Sequence, residues 1–254
     1  TEACLVQLLI TGMVHADPHE GNLLYTEDGR IAFLDFGLVD RVSVQVMESF
    51  AEGLKNIVAG DWYVVASSLQ AMQWTTQPVQ RKLPRRRFSG PRFEECPFEE
   101  FVEALGTEME NDPAARVRLG PMVAALRRLS DRFLMLTPPY FLLLTRTFVT
   151  LEGIAERIDP DFNIYTMALP VTMRRMMTPV SVPAREALRS SVLTADGEIR
   201  WHALEGLLNT SGGVVFQAPG SLFQPLDGLL GSPAGITLRR VAYDVDAAKL
   251  LRFL

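Results

Sequence analysis

Residues 15–40 read HADPHEGNLLYTEDGRIAFLDFGLVD, and the rest of the chain is best interpreted from this stretch. Asp17 is followed five residues later by Asn22, and Asp35 begins the tripeptide Asp-Phe-Gly. A carboxylate can orient a hydroxyl and accept its proton, and hard cations such as Mg²⁺ prefer carboxylate and amide oxygens. The stretch therefore carries the groups that metal-assisted phosphoryl transfer requires.

The local sequence predicts a β-hairpin between the two candidate metal ligands. Residues 21–25 and 30–34 are apolar enough for short strands. The segment TEDG at 26–29 is typical of a tight turn, because glycine tolerates positive φ. Closing this hairpin would bring Asn22 and Asp35, thirteen residues apart, to the same end of a two-stranded ribbon. We therefore predict that these two side chains share one metal ion.

Taken singly, each of these polar residues can be interpreted as a turn or capping residue, and their order is what favours a site. Protein kinases place a catalytic-loop Asp, an Asn and the DFG Asp in this order. The comparison makes Asp17 the catalytic base and makes Asn22 and Asp35 the metal ligands. It also places Leu24 and Leu34 on the adenine or metal side of the nucleotide cleft.

The stretch also contains two histidines, and neither is predicted to be catalytic. His15 stands two residues before the candidate base, and we expect it to pack near Phe36 and to hold the backbone of the loop. His19 is expected only to shape the turn together with Pro18.

The segments HADPHEGNLL (15–24) and LDFGLVD (34–40) are more specific than generic kinase motifs. They resemble the UbiB or aarF-domain family of atypical, protein-kinase-like proteins, whose catalytic loop usually reads HADPHPGN. Glu20 stands here where that family commonly has proline. Segments 138–178 and 193–208 look like the plastid and cyanobacterial branch of the family. Aminoglycoside-phosphotransferase-like kinases share H-x-D-x-x-x-x-N but generally carry a different motif in place of DFG, so they rank second.

The resemblance covers roughly residues 1–208 and implies a mainly α (α+β) fold. That fold is the C-terminal lobe of a protein-kinase-like protein, with a small β-hairpin carrying the catalytic loop and DFG. The implied cofactors are ATP and Mg²⁺ or Mn²⁺. The implied role is in plastoquinone, tocopherol or ubiquinone metabolism. The chloroplast, at plastoglobules or thylakoids, is favoured over the mitochondrion, and a prenyl lipid or membrane surface is a further implied partner. A non-catalytic pseudokinase-like scaffold or lipid-binding module is the alternative.

A working kinase also needs an N-terminal lobe that supplies a nucleotide-covering loop, a phosphate-binding Lys and its Glu partner. Residues 1–14 are too few to contain one. We therefore interpret the chain as a C-terminal lobe whose N-terminal lobe is missing and would act in cis. The parent protein is expected to be an atypical kinase or ATPase, and the isolated chain is expected to be inactive.

Composition narrows the remaining function classes. The apolar fraction of 48% and the charged fraction of 22% are typical of a globular protein with a substantial core. The net charge of −5 gives no indication of nucleic-acid binding. Cys4 and Cys96 lie far apart and have no CxxC partner, which predicts free thiols rather than a disulfide framework or a zinc site.

Helical periodicity predicts helices over most of the chain. The first ends at about Met13, with Gly12 as its C-cap. Residues 75–97 are basic and proline-rich, and we expect an irregular solvated loop, with contact to anionic lipid as the alternative. Ser43 is expected to cap a helix to about Ala59. Further helices are expected at 61–71, 98–105, 113–129, 140–158, 165–177, 183–193 and 201–207.

The helix at 140–158 is the most apolar one. Its charged residues argue against a membrane span, which needs about 20 mostly apolar residues; they are Arg146, Glu152, Glu156 and Arg157. We interpret it as a buried core helix, with lipid or a prenyl chain on one face as the alternative. After the lobe at 1–208, residues 209–236 are rich in Gly, Ser and Pro and are expected to be a flexible linker. Residues 237–254 are expected to form a C-terminal helix.

Overall fold

The chain is described by a computed structural model over residues 1–84, 90–194 and 200, which are mainly helical with three small two-stranded antiparallel sheets. The helices are α1 (Glu2–Val6), α2 (Val44–Ala59), α3 (Trp62–Ala71), α4 (Phe98–Asn111), α5 (Leu119–Leu129), α6 (Pro139–Glu156), α7 (Ile164–Met176) and α8 (Val182–Val192). The strands are β1 (Met13–His15), β2 (Leu23–Tyr25), β3 (Ile31–Phe33), β4 (Val39–Arg41), β5 (Gln80–Leu83) and β6 (Arg92–Glu95). They pair as β1–β4, β2–β3 and β5–β6. The predicted mainly α class is confirmed.

The chain divides into two compact units, residues 1–168 and 169–254. The first unit contains the sheets, helices α1 to α6 and the start of α7. The second contains the rest of α7, in which Met173 is buried, the buried Met177 that follows this helix, and α8. The helix predicted at 201–207, the linker predicted at 209–236 and the C-terminal helix predicted at 237–254 lie outside the described residues.

The segment before the site folds largely as its sequence predicts. Leu5, Leu8 and Leu9 are buried together on one side of α1 and of the wider π-helical turn that continues it over Gln7–Thr11. The helix ends at Gly12, whose φ of 67° lies in the left-handed region that favours glycine. The reversal at Gly12 leads directly into β1, which carries His15 towards the site.

Replacing Gly12 by alanine is expected to lower the free energy of unfolding by about 1–3 kcal/mol. An added Cβ would lie 2.9 Å from both Met47 Sδ and Val42 O, and the positive φ adds backbone strain. Gly153→Ala in α6 is the control, because its Cβ meets nothing within 4 Å and alanine favours helix. Urea titration measures both variants. Equal midpoints for Gly12→Ala and the wild type would contradict the prediction.

The predicted ends of the two helices after the site, α2 and α3, are confirmed. Ser43 Oγ accepts a hydrogen bond from Val46 N at 3.3 Å, as an N-cap side chain does. Gly60 ends α2 with φ 75°, and Asp61 Oδ1 then caps α3 by accepting from Val64 N at 3.2 Å. The face of α2 that is buried contains Met47, Phe50, Leu54 and Ile57.

The prediction of an irregular loop over 75–97 is wrong, because β5 and β6 form a hairpin there. Arg81 pairs in register with Glu94, and its guanidinium forms ion pairs with Glu94 and Glu100. The charge of Arg81 is therefore balanced by acidic partners, and Lys82 Nζ donates to the backbone oxygen of Ser130, which favours a structural role over lipid binding for this strand. Residues 85–89, which carry the densest run of arginines, lie outside the described part of the chain.

Two helix predictions between residues 98 and 129 need correction. The first helix, α4, continues to Asn111 rather than stopping near 105. The helix predicted from 113 is interrupted, since Pro113–Arg116 is a short 3₁₀ turn and α5 begins only at Leu119. The backbone of Arg118 between them is extended, with φ −128° and ψ 143°. A cap from another helix, described below, explains why α5 begins there.

Helix α6 is buried on one face only, so its prediction as a buried core helix is half correct. Its apolar residues Phe141, Leu144, Phe148 and Leu151 are buried, whereas Leu142 and Val149 are exposed. Within the described ranges, none of the helices combines the length and apolarity that a membrane span requires.

Candidate functional site

The predicted hairpin is present and sets the position of the site. Strands β2 and β3 pair with Leu23 opposite Phe33, and the turn closes through Thr26 N donating to Arg30 O at 2.9 Å. One step beyond the strands, Leu34 N donates to Asn22 O at 3.0 Å. Asn22 is therefore bonded to the residue that immediately precedes Asp35, at the open end of the ribbon, as the sequence predicted.

His15 connects the predicted catalytic loop to the Asp-Phe-Gly segment. Its Nδ1 accepts from Asp17 N at 3.3 Å, and its Nε2 is bonded to the backbone oxygen of Asp35. This pattern requires the proton on Nε2, which then donates to the carbonyl. The ring is buried and lies 5.3 Å from Phe33 and 5.9 Å from Phe36, centroid to centroid. The predicted packing of His15 is confirmed, and the ring joins the backbones of the two acidic residues.

The side chains of Asn22 and Asp35 each keep an oxygen available. Asn22 is only 8% exposed, and its Nδ2 donates to Asp17 O at 3.2 Å, which leaves Oδ1 without a donor among the described residues. Asp35 Oδ1 accepts from Gly37 N at 2.8 Å, and Oδ2 has no such partner in the same set. One amide oxygen and one carboxylate oxygen at neighbouring backbone positions form a donor set that suits Mg²⁺ or Mn²⁺.

Within the described residues, no three His, Cys, Asp or Glu side chains lie close enough to hold a metal by themselves. A cation at this site would therefore depend on Asn22 and Asp35 together with oxygens from a ligand. Mg²⁺ in nucleotide sites is commonly bound in this way, through one or two carboxylates and the phosphates. The chain would thus supply two of the six oxygens around an octahedral Mg²⁺, and the phosphates and water would supply the others.

The carboxylate of Asp17 has a cationic neighbour that the sequence analysis did not identify. Arg146 of α6 donates from Nη2 to Asp17 Oδ1 at 2.9 Å, while His19 Nε2 lies 3.9 Å from Oδ2. Arg157, the residue that follows the last turn of α6, forms an ion pair with Glu20. The only feature of the sequence that drew attention to these two arginines was the presence of charged residues in the most apolar predicted helix. His19 shapes the loop as expected, since its Nδ1 accepts from Gly21 N at 3.1 Å.

Leu24 and Leu34 lie on one face of the hairpin and are exposed. Leu24 pairs with Ala32, which stands two residues before Leu34, and alternate residues of a strand share a face. Their exposed fractions are 53% and 51%. Phe36, from the DFG tripeptide, is also exposed. The hairpin therefore presents an apolar surface next to the polar end that carries Asn22 and Asp35.

The two cysteines are free, as predicted. Cys4 is buried and Cys96 is partly exposed. Burial raises the pKa of the Cys4 thiol, which reduces its reactivity at neutral pH. Neither residue belongs to the site.

Comparison with known proteins gives two family matches. The model of the ABC1 atypical kinase-like domain matches residues 1–69, and the model of the UbiB helical domain matches residues 102–163. The first match contains the predicted catalytic loop, the hairpin and the Asp-Phe-Gly tripeptide, and the second contains Arg146 and Glu152 of α6. No solved structure matches the chain.

Curated relatives come from a plant and a cyanobacterium. The chain is 30% identical over 239 residues to the Arabidopsis thaliana protein ACTIVITY OF BC1 COMPLEX KINASE 3, chloroplastic. The aligned region covers 94% of this chain and 31% of that protein. An uncharacterised Synechocystis protein is 31% identical over 83% of this chain and 29% of its own length. A chloroplastic aarF domain-containing protein kinase of A. thaliana, also uncharacterised, is 28% identical over 81% of this chain and 28% of its length. The chain thus spans less than a third of the length of these relatives, and it belongs to the ABC1 (UbiB, aarF-domain) family of atypical kinase-like proteins.

Proposed function

We propose that the chain forms the catalytic-loop and metal-binding lobe of an ATP-dependent atypical kinase or ATPase. The observation that supports this most directly is the network that joins the three predicted site residues. His15 links the backbones of Asp17 and Asp35, and the side chain of Asn22 is bonded to Asp17 O. A network of this kind fixes the relative position of groups that act on one phosphoryl group, and positioning supplies most of the catalysis in such reactions.

In this proposal each residue of the network has one role. Asp17 orients the acceptor hydroxyl or water and takes its proton. Asn22 Oδ1 and Asp35 Oδ2 would hold Mg²⁺ or Mn²⁺, which would supply positive charge to the phosphates of the nucleotide. Leu24 and Leu34 lie on the adenine or metal side of the cleft. An N-terminal lobe acting in cis supplies the nucleotide-covering loop and the phosphate-binding Lys.

The setting of this activity is proposed from the relatives. Two of the relatives described above are named as chloroplastic, and another is cyanobacterial. We place the protein in the chloroplast, at plastoglobules or thylakoids, with a role in prenylquinone metabolism. A prenyl lipid or the membrane surface is its proposed partner. These points rest on family membership.

Asp35→Asn is expected to weaken Mg²⁺-dependent ATP binding by about tenfold or more, because the amide removes the charge that holds the cation. The affinity is measured by calorimetry on the protein expressed from its complete gene, with and without Mg²⁺. Asp28→Asn is the control, since that carboxylate lies at the exposed tip of the same hairpin and pairs with Arg30. Binding by Asp35→Asn equal to that of the wild type would refute the metal role. Absence of ATP binding by the wild type would favour the scaffold or lipid-binding alternative.

A further inference from the structure

We propose that Arg146 is a catalytic arginine, supplied within the chain by α6, which binds the phosphoryl group during its transfer. This inference rests on the proposed function, because it assigns a new residue to the same site. It starts from the ion pair between Arg146 Nη2 and Asp17 Oδ1, whose atoms are 2.9 Å apart although the residues are 129 positions apart in sequence.

The contribution of this pair to folding does not explain why it is there. The side chain of Arg146 is 62% exposed and that of Asp17 is 28% exposed. Exposed ion pairs of this kind contribute about 0–1 kcal/mol to stability, since water screens the attraction and two side chains lose freedom. The pair does place a permanent positive charge against the carboxylate that the proposed function makes the catalytic base.

The guanidinium of Arg146 has N–H groups that its bond to Asp17 does not use. It carries five N–H groups in a planar fork, and among the described residues Asp17 is its one hydrogen-bond partner. A phosphoryl group matches that fork, because two of its oxygens can each accept one N–H. The same residue can therefore hold Asp17 Oδ1 on one side and phosphate oxygens on the other. Lysine, with its compact ammonium, would not reproduce this double contact.

A cation at this position would also offset the negative charge of the site's carboxylates and of the phosphates. Asp17 and Asp35 are carboxylates and Asn22 is neutral, so the chain's own site residues bring negative charge to an anionic substrate. In the segment 15–40 the one Arg or Lys is Arg30, and it is bound to Asp28 at the far end of the hairpin. Arg146 reaches the loop from α6 and supplies the missing positive charge next to the base. Arg157 pairs with Glu20 instead, and both of these side chains are exposed.

The transfer step balances with these groups in place. The acceptor oxygen forms a bond to the γ-phosphorus, while the bond from that phosphorus to the β–γ bridging oxygen breaks. The electron pair of the broken bond stays on the leaving diphosphate, and the acceptor's proton moves to Asp17 Oδ2. Arg146 remains on Oδ1 and donates its other N–H groups to the equatorial oxygens, where charge is spread in the transition state. In a hydrolytic cycle the acceptor is water.

The test compares variants of the protein expressed from its complete gene. Arg146→Met is expected to lower kcat for ATP turnover by about 10²–10³-fold, which is in the range that a single charge-stabilising donor or arginine contributes. MgADP affinity is expected to change by less than about twofold, whereas affinity for MgADP with aluminium fluoride falls by about 10²-fold, since that complex mimics the transferred group. Arg146→Lys should retain part of kcat.

Arg157→Met is the matched control, because it removes the arginine that follows α6 and pairs with Glu20 of the same loop. Its kcat is expected to stay within about threefold of the wild type. Equal losses in the two variants would overturn the proposal, and so would a full kcat in Arg146→Met or an unchanged affinity for the fluoride complex. Wild-type turnover that Asp35→Asn abolishes and Arg146→Met leaves intact would refute this inference alone. No turnover in the wild type would refute the proposed function with it.

Discussion

Asp17→Asn is expected to lower kcat for ATP turnover by about 10²–10⁴-fold, the range that a positioned general base contributes. The change is nearly isosteric, and the amide oxygen can still accept the hydrogen bond that Arg146 donates to Oδ1. The backbone bonds of residue 17 to His15 and to Asn22 do not involve the carboxylate. The variant therefore removes proton acceptance while it preserves the surroundings. MgATP affinity is expected to change by less than about threefold.

Steady-state kinetics and calorimetry on the protein from its complete gene separate this effect from that of Asp35→Asn. The Asp17 variant should lose kcat with little change in nucleotide affinity, whereas the Asp35 variant should also lose Mg²⁺-dependent affinity. Asp28→Asn should leave both quantities unchanged, since its carboxylate is engaged by Arg30 and Thr26 at the hairpin tip. If the wild type, Asp17→Asn and Asp35→Asn turn over ATP equally, the enzymatic proposal fails. The pseudokinase-like scaffold is then the better hypothesis.

The parts of the fold that the sequence predicted well depend on short-range signals. A hairpin needs only a turn with a glycine between two apolar runs, and Gly29 indeed has a φ of 80°. The helix ends at Ser43 and Asp61 are set by side chains that bond amides three residues away. These contacts involve neighbours in the chain, so the local residues are sufficient to predict them.

The parts that the sequence did not predict depend on partners far along the chain. The sequence does not predict the β5–β6 hairpin, because Arg81 looks like one of many solvated cations. Only the structure shows that Glu94 lies opposite Arg81 in the neighbouring strand. Around position 146 the sequence shows only a charge that argues against a membrane span, because nothing near this position indicates that Asp17 is the partner of Arg146. The same limit applies to the start of α5, where the sequence suggested a continuous helix from Pro113.

The start of α5 depends on Glu152, which is 5% exposed and lies on α6. Its Oε1 accepts from Leu119 N at 2.9 Å and its Oε2 accepts from Gly120 N at 3.2 Å. These are two of the amides that a helix leaves without a partner in its first turn, and a negative charge there also interacts favourably with the helix dipole. The hydroxyl of the fully buried Tyr165 donates to Arg118 O at 3.1 Å beside this cap. Burial, together with the charge of Glu152, raises the pKa of that phenol, so it stays a donor.

Glu152→Ala is expected to lower the free energy of unfolding by about 3–5 kcal/mol, because each hydrogen bond to a charged group contributes about 1.5–3 kcal/mol and two buried amides lose their acceptor. Glu152→Gln, which keeps one oxygen, should cost about half as much. Urea titration gives the free energies, and amide exchange at Leu119 and Gly120 reports the local opening of α5.

Glu156→Ala is the matched control, since it removes the same side chain one turn later, where the partner is the half-exposed Arg118. Its effect should not exceed about 1 kcal/mol. A cap made across two helices also couples them: α5 cannot lose its first turn without leaving the Glu152 carboxylate buried and unpaired. Because α6 also carries Arg146 to Asp17, loosening α5 through Glu152→Ala should reduce kcat as well as stability. Destabilisation by Glu152→Ala no greater than that by Glu156→Ala would show that α5 begins at Leu119 for another reason.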